Sequence, residues 1–109
     1  FEMVNTITDT SPRYAYFDAD LIQAENIHVR HAKAADRFHP FGMKGSRLVS
    51  DFLTDLKFTR FQKQQQWVAC CGEDIIWVIG LRSDNRFRVT PKTKRILRVT
   101  YKENTSHIK

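Results

Sequence analysis

The stretch from Asp36 to Asp55, DRFHPFGMKGSRLVSDFLTD, constrains this chain more than any other, because a tight basic turn runs straight into the start of a helix. Gly42 and Gly45 flank Met43 and Lys44, and glycine takes positive φ or admits a close backbone without steric penalty. A sharply bent, positively charged loop follows. Ser46 offers a hydroxyl to an orphan N–H of a first helical turn, so the spacing predicts a helix capped there. Leu48, Val49, Phe52, Leu53 and Leu56 recur at helical spacing, while Ser50, Asp51, Thr54, Asp55 and Lys57 take the other face. The apolar stripe is a packing face, which leaves function to the loop and the polar side. Asp51 and Asp55, one turn apart, suggest paired carboxylates, but on a polar helix face such groups are more often solvated or salt-bridged.

The rest of the chain reads mostly as strands. Glu2–Ile7, Tyr14–Asp18 and Ile27–His31 carry β-branched or aromatic residues in short runs, with Thr10, Ser11 and Pro12 as turn residues between the first two. Thr59 and Gln62 stand in capping-box spacing at the head of a second short helix over Thr59–Gln65. Trp67–Cys71 and Asp74–Gly80 form a hairpin around Gly72, both apolar enough to be central. Thr90 and Pro91 suit one helical turn before Ile96–Tyr101 closes the sheet, and residues after Lys102 form a polar, frayed tail. The pattern is α+β: a β-rich antiparallel core with two short helices between its strand groups.

Composition fits one small domain over residues 1–109, with an acidic lead-in segment at 1–25 and the polar tail at 102–109. A chain of 109 residues, 41% hydrophobic and 28% charged, buries one modest core. No apolar run approaches the length of a membrane-spanning helix, so no membrane partner is expected. The chain opens on Phe1 and reads as a piece of a longer protein. Cys70 and Cys71 are neighbours on a strand and point to opposite faces, which favours two small buried hydrophobes in a reducing compartment over a disulfide. His28, His31 and His39 are a weak case for a metal site, because the first two are three apart on a strand. Trp67 and Trp77 sit in apolar runs, where core packing is the expected role rather than base stacking.

Charge is the second signal. The net charge is +6 and unevenly placed. Before Asn26 five acids face only Arg13, whereas from Leu81 to Arg98 the bases Arg82, Arg86, Arg88, Lys92, Lys94, Arg95 and Arg98 face only Asp84. Such a cationic half raises the encounter rate with polyanions, and binding through it falls with salt.

These segments resemble a known family. DRFHPFGMKGSRLVSDFL is similar to the signature of the C-terminal domain of bacterial tRNA(Ile)-lysidine synthase, also called the MesJ cell-cycle protein. IIWVIGLRSDNRFRVTPKTKRIL, Ile75 to Leu97, is similar to the closing segment of that domain, and YFDAD, Tyr16 to Asp20, to its opening strand. The family pattern has glycine where Ala35 stands and a lysine pair where Arg47 and Leu48 stand, so Leu48 is not carried over as an RNA contact. The resemblance implies a layered antiparallel β-sandwich of the kind shared with a domain of the phenylalanyl-tRNA synthetase β-subunit. It implies a tRNA-binding role, gripping the acceptor stem of the CAU-anticodon tRNA(Ile). A separate N-terminal domain of the same chain would use ATP, with Mg, to adenylate the wobble cytidine, which lysine then attacks, in the cytoplasm.

The fragment itself shows no catalytic site: Gly42, Gly45, Gly72 and Gly80 form no phosphate-cradling run, and no cofactor or metal is expected in it. The expected phosphate contacts are Lys44, Arg47, Arg82, Arg86, Arg88, Lys92, Lys94 and Arg95. Asp36, Arg37, Gly42 and Gly45 are expected to shape the loop, Arg37 either through an ion pair with Asp36 or as an RNA contact itself. The alternative from another class is an interaction domain that docks on the parent enzyme or forms a homodimer.

Overall fold

Residues 2–4, 7 and 11–101 are described by the computed structural model. In chain order the strands are β1 (Glu2–Val4), β2 (Tyr14–Asp18), β3 (Ile27–His31), β4 (Arg37–Phe38), β5 (Arg47–Leu48), β6 (Trp67–Cys71), β7 (Asp74–Val78), β8 (Arg82–Ser83) and β9 (Ile96–Thr100). Two helices, α1 (Val49–Asp55) and α2 (Arg60–Gln65), lie between β5 and β6. The strands form three antiparallel sheets, ordered β1-β9-β2, β3-β6-β7-β8 and β4-β5. The expected β-rich antiparallel sandwich with two short helices is therefore what the chain forms.

Burial explains the layering. The β3-β6-β7-β8 sheet is the middle layer, and adjacent residues on its strands go to opposite sides. Ala69, Trp77 and Ile79 pack with Ala15, Phe17 and Leu97 of the β1-β9-β2 sheet. Val68, Cys70, Ile75 and Val78 pack with Phe38 of β4 and with Val49, Phe52 and Leu53 of α1. Cys70 and Cys71 thus face different layers, and both are free thiols. Burial pushes the Cys70 thiol up from its ordinary pKa, with Arg30 opposing the shift.

One irregularity makes both faces possible. Cys70 pairs with Ile75 but Ala69 pairs with Trp77, so Ile76 is an extra residue on β7. This bulge sends Ile76 and Trp77 to the same core, where strict alternation would have sent Trp77 to the side of Ile75. The β6-β7 hairpin turns at Gly72, whose φ of +62° suits glycine. Gly80, at φ +81°, ends the run two residues beyond Val78 and feeds β8, so the strand is shorter than the expected Asp74–Gly80.

Several local expectations change. α1 does not begin at Ser46. Its N-cap is Leu48, because Arg47 and Leu48 are held in a ladder with Phe38 and Arg37, and the Val49 N–H is satisfied by the Asp36 carbonyl at 2.8 Å. Ser46 Oγ accepts instead from Arg37 Nε at 3.3 Å. Thr90 and Pro91 open no helical turn. Thr93 Oγ1 accepts from the Thr90 N–H at 2.8 Å and the Thr93 N–H donates to the Thr90 carbonyl at 2.9 Å, a closed loop that outcompetes helix. The first strand is seen as Glu2–Val4, residues 5, 6 and 10 of the expected strand and turn lie outside the described residues, and so does the tail at 102–109. Among the described residues no helix is long and apolar enough to cross a membrane.

Helix ends follow the chemistry of their caps. The Thr59 and Gln62 capping box forms as expected, with Thr59 Oγ1 accepting from the Gln62 N–H and Gln62 Oε1 from the Thr59 N–H. α1 ends in a Schellman arrangement: the Phe58 N–H donates to Leu53 O at 3.1 Å and the Lys57 N–H to Thr54 O at 2.9 Å. Lys57 sits at φ +69°, the left-handed region where a Cβ is penalised. Lys57→Gly is accordingly expected to raise stability by about 0.5–1 kcal/mol in urea denaturation. No gain, or a loss, would show that the Lys57 side chain stabilises the turn in some other way.

Candidate nucleic-acid interface

The basic loop is held by its base. β4 and β5 close it, Arg37 donates to Ser46, and the Met43 N–H donates to Pro40 O at 3.0 Å. Gly42 and Gly45 stand at φ +84° and +73°, and a Cβ added at either would meet nothing within 4 Å. Backbone conformation, not space, is what calls for glycine there. Ala35 needs no glycine, since Lys57 is the one non-glycine residue with positive φ among those described.

Beneath the loop lies a residue that sequence reading passed over. Asp84 is fully buried, yet ionisable. Its N–H donates to Ile76 O at the β7 bulge at 2.8 Å. Its carboxylate accepts from the His39 N–H at 2.8 Å, from the Arg86 N–H at 2.8 Å, and from Arg86 Nε and Nη2 at 3.0 and 3.1 Å. Three further bonds stitch the same strip: the Asn85 N–H to His39 O at 2.6 Å, the Phe41 N–H to Ser83 O at 2.9 Å, and Arg82 Nη1 to Phe41 O at 3.2 Å. The signal was present as the one acid among the bases from Leu81 to Arg98, where a lone carboxylate flanked by Arg82 and Arg86 invites an internal ion pair.

Asp36 pairs with Arg30 rather than Arg37, through contacts of 2.8 and 3.0 Å, and also accepts from the Lys33 N–H at 2.7 Å. Burial raises the Asp36 pKa, but the bonds from Arg30 and the Lys33 backbone outweigh it and hold the carboxyl below its ordinary value. Arg37 therefore shapes the loop through Ser46, not through an ion pair with its neighbour.

The eight expected phosphate contacts divide. Arg86 is bound to Asp84 and stands 3.6 Å from Asp74; the Asp84 hydrogen bond lifts its pKa against burial. Arg47 is ion-paired with Asp55 and Arg95 with Asp20 at 2.8 Å. Arg82 lies 5.6 Å over the Phe52 ring, and Arg88 Nη1 donates to Asn85 O at 3.0 Å. Lys44, Lys92 and Lys94 are exposed, and their ammonium groups have no ion pair among the described residues. Arg82 and Arg86 lie on the stitched strip and Lys44 in the loop that the strip holds, whereas Lys92, Lys94 and Arg95 belong to the turn beside Asp18 and Asp20, where Thr93 Oγ1 donates to Asp18 at 3.1 Å.

The aromatic residues also sort differently from expectation. Trp77 is core, at 3% exposure, but Trp67 is 41% exposed and stacks on His31 with ring centroids 3.8 Å apart. Trp67 is the first residue of β6, paired with His31 at the end of β3, and at that strand end an apolar run does not bury it. Asp55 takes the salt-bridged role its helix position favoured.

A layered antiparallel domain with a pinned, glycine-turned basic loop is the class these features define. Residues 27–101 match the family described as TilS substrate C-terminal domain, and the chain belongs to that family. It is 55% identical over 83 residues to a tRNA(Ile)-lysidine synthase of Bacteroides thetaiotaomicron, covering 76% of this chain and 19% of that protein. To the tRNA(Ile)-lysidine synthase of Parabacteroides distasonis it is 43% identical over 93 residues, covering 85% of this chain and 21% of the relative. The chain thus spans about a fifth of the length of these relatives. A crystal structure of a TilS C-terminal domain superposes with a TM-score of 0.69 at 14% identity, covering 92% of this chain and 79% of that one, which shows the shared fold.

Two outcomes test the pins. Arg86→Met leaves the buried Asp84 charge without its guanidinium and is expected to cost about 3–5 kcal/mol in urea denaturation, whereas Arg88→Met, on the surface, stays within about 0.5 kcal/mol. Equal small losses would remove Asp84 as the anchor. For Asp36 the depressed folded pKa means its stabilisation is full above the unfolded value, near 3.8, and is lost as pH falls through the lower folded value. Stability measured from pH 6 to pH 2.5 should therefore fall below about pH 4, and Asp36→Asn should flatten that part of the curve; an unchanged acid limb in the variant would refute the assignment.

Proposed function

We infer that this domain binds tRNA, gripping the acceptor stem of the CAU-anticodon tRNA(Ile) within a tRNA(Ile)-lysidine synthase. The observation that carries the reading is the display of Lys44, Lys92 and Lys94, exposed and without ion pairs among the described residues, on a chain of net charge +6. Duplex RNA presents phosphates and 2′-hydroxyls across a shallow groove, which suits point charges and loop shape rather than base readout. The three lysines meet phosphates first, and Arg47, Arg82, Arg88 and Arg95 add contacts by sharing their guanidinium groups. Arg86 acts through the loop it anchors.

Chemistry on the wobble cytidine belongs, in this reading, to an N-terminal catalytic domain of the same parent chain in the cytoplasm, with ATP and Mg as its cofactors. The domain described here contributes grip and register without a catalytic site of its own. A docking role is the competing reading, and one observation favours it: Phe61, Val29 and Trp67 are 69%, 53% and 41% exposed, large apolar groups that a second copy or the parent enzyme would cover.

Binding of the chain to the CAU-anticodon tRNA(Ile) transcript, to one with altered acceptor-stem pairs and to a plain duplex, at low and near-physiological salt, separates the two. Tightest binding to the first is expected, with a steep salt dependence and a loss of roughly tenfold for Lys44→Glu combined with Lys92→Glu. Equal weak binding to all three, unmoved by the variant, would overturn acceptor-stem recognition. Concentration-dependent dimerisation under the same conditions would then favour docking.

A further inference from the structure

The charge accounting around the helices leaves a second cationic site that none of the expected contacts includes. A cleft of about 570 Å³ opens between the segment after β3 and the two helices, lined by Lys33, Ser50, Arg60 and Lys63, with the buried Val49 and Leu53 at its floor. Three cations converge on one space, Lys33 from the segment after β3 and Arg60 and Lys63 from α2. No carboxylate lines the cleft, and none of the three has an ion pair among the described residues. Elsewhere five arginines are neutralised by carboxylates: Arg30 by Asp36, Arg47 by Asp55, Arg86 by Asp84, Arg95 by Asp20 and Arg98 by Glu2. Like charges gathered without a counter-ion repel one another, so an anion that enters the cleft relieves that repulsion.

The backbones that carry the cations are held in place, and so is the Lys63 ammonium. Lys33 is fixed through its backbone, whose N–H donates to the Asp36 carboxylate at 2.7 Å. Arg60 is the first residue of α2, immediately after the Thr59 capping box. Lys63 is half-buried and its Nζ donates to Ser50 Oγ at 3.2 Å, which ties α2 to α1. We propose that this cleft binds a phosphate group. Its several oxygens accept from three converging cations at once, where a carboxylate has only two to offer, and the ligand supplies the missing counter-charge. The phosphate comes either from the backbone of a bound RNA, which rests on the reading above, or from the terminal phosphate of a nucleotide or RNA end.

Amide chemical shifts of the ¹⁵N-labelled 109-residue chain, titrated with inorganic phosphate at ionic strength matched with chloride, test the cleft directly. Saturable shifts at Lys33, Ser50 and Lys63 are expected, and they should vanish both in Arg60→Gln/Lys63→Gln and in Lys33→Gln/Arg60→Gln, the second of which keeps the Lys63 to Ser50 bond. A response that is absent, spread evenly over the basic surface, or retained in both variants would overturn the proposal. Short RNA duplexes with and without a 5′-phosphate identify the source. A backbone phosphate predicts equal binding of the two, a loss of about tenfold in the variants and a log–log salt slope less negative by about one; a terminal phosphate predicts that only the phosphorylated duplex depends on the cleft. If RNA binding is lost on Lys44→Glu/Lys92→Glu but untouched by the cleft variants, the cleft fails and the RNA reading stands. If no RNA binds but phosphate does, the reverse holds.

Discussion

A carboxylate buried to zero exposure in a domain of this size is costly, and the fold around Asp84 is arranged to offset that cost. Both oxygens are taken up by donors from two directions, the His39 amide and the Arg86 backbone and guanidinium, while the Asp84 amide holds the carbonyl of the bulged Ile76. Each of those partners belongs to a different feature. The bulge lets β7 serve two cores, His39 leads into the basic loop, and Arg86 lies in the short 3₁₀ turn Asn85–Phe87. Breaking the carboxylate would release all three together. The glycine loop is therefore held from inside the protein, by hydrogen bonds on the strip it sits on, as well as by the Arg37–Ser46 and Met43–Pro40 bonds at its own base.

The same bonds decide which positive charges face outward. Guanidinium groups present a planar fork of donors that fits a carboxylate at two points, and Arg30–Asp36 and Arg86–Asp84 use it that way. Lysines, as hydrated point charges, remain on the surface. A basic composition thus overstates the field this domain offers: half of its arginines are ion-paired, and Lys44, Lys92 and Lys94 and the three cations around the cleft between the helices are among the charges left without a carboxylate.

What could be read from the chain and what could not divide by range of interaction. The Val49, Phe52 and Leu53 face of α1, the Thr59 and Gln62 capping box, the hairpin at Gly72 and the opposed faces of Cys70 and Cys71 depend on residues within a few positions of each other, and each formed as its spacing implied, whereas Leu48 and Leu56 at the ends of the stripe became the helix caps and Leu56 is exposed. The start of α1 did not, because Ser46 lost the competition to a two-residue ladder made with Arg37 and Phe38, nine residues earlier. Trp67 went astray for a related reason: hydrophobic neighbours in sequence say nothing about where a sheet ends.

By itself the sequence determined the family, the β-rich antiparallel class, the two short helices and the loop that needs glycine at Gly42 and Gly45. The family follows from the resemblance of its motifs, and the rest from periodicity, capping chemistry and backbone sterics, which act locally. Only the tertiary structure decided that Arg86 is an anchor and Lys44 a free charge, that Asp36 belongs to Arg30, and that Lys33, Arg60 and Lys63 share a cleft. Electrostatic pairing depends on distances between segments far apart in the chain, and a list of charges carries no distances.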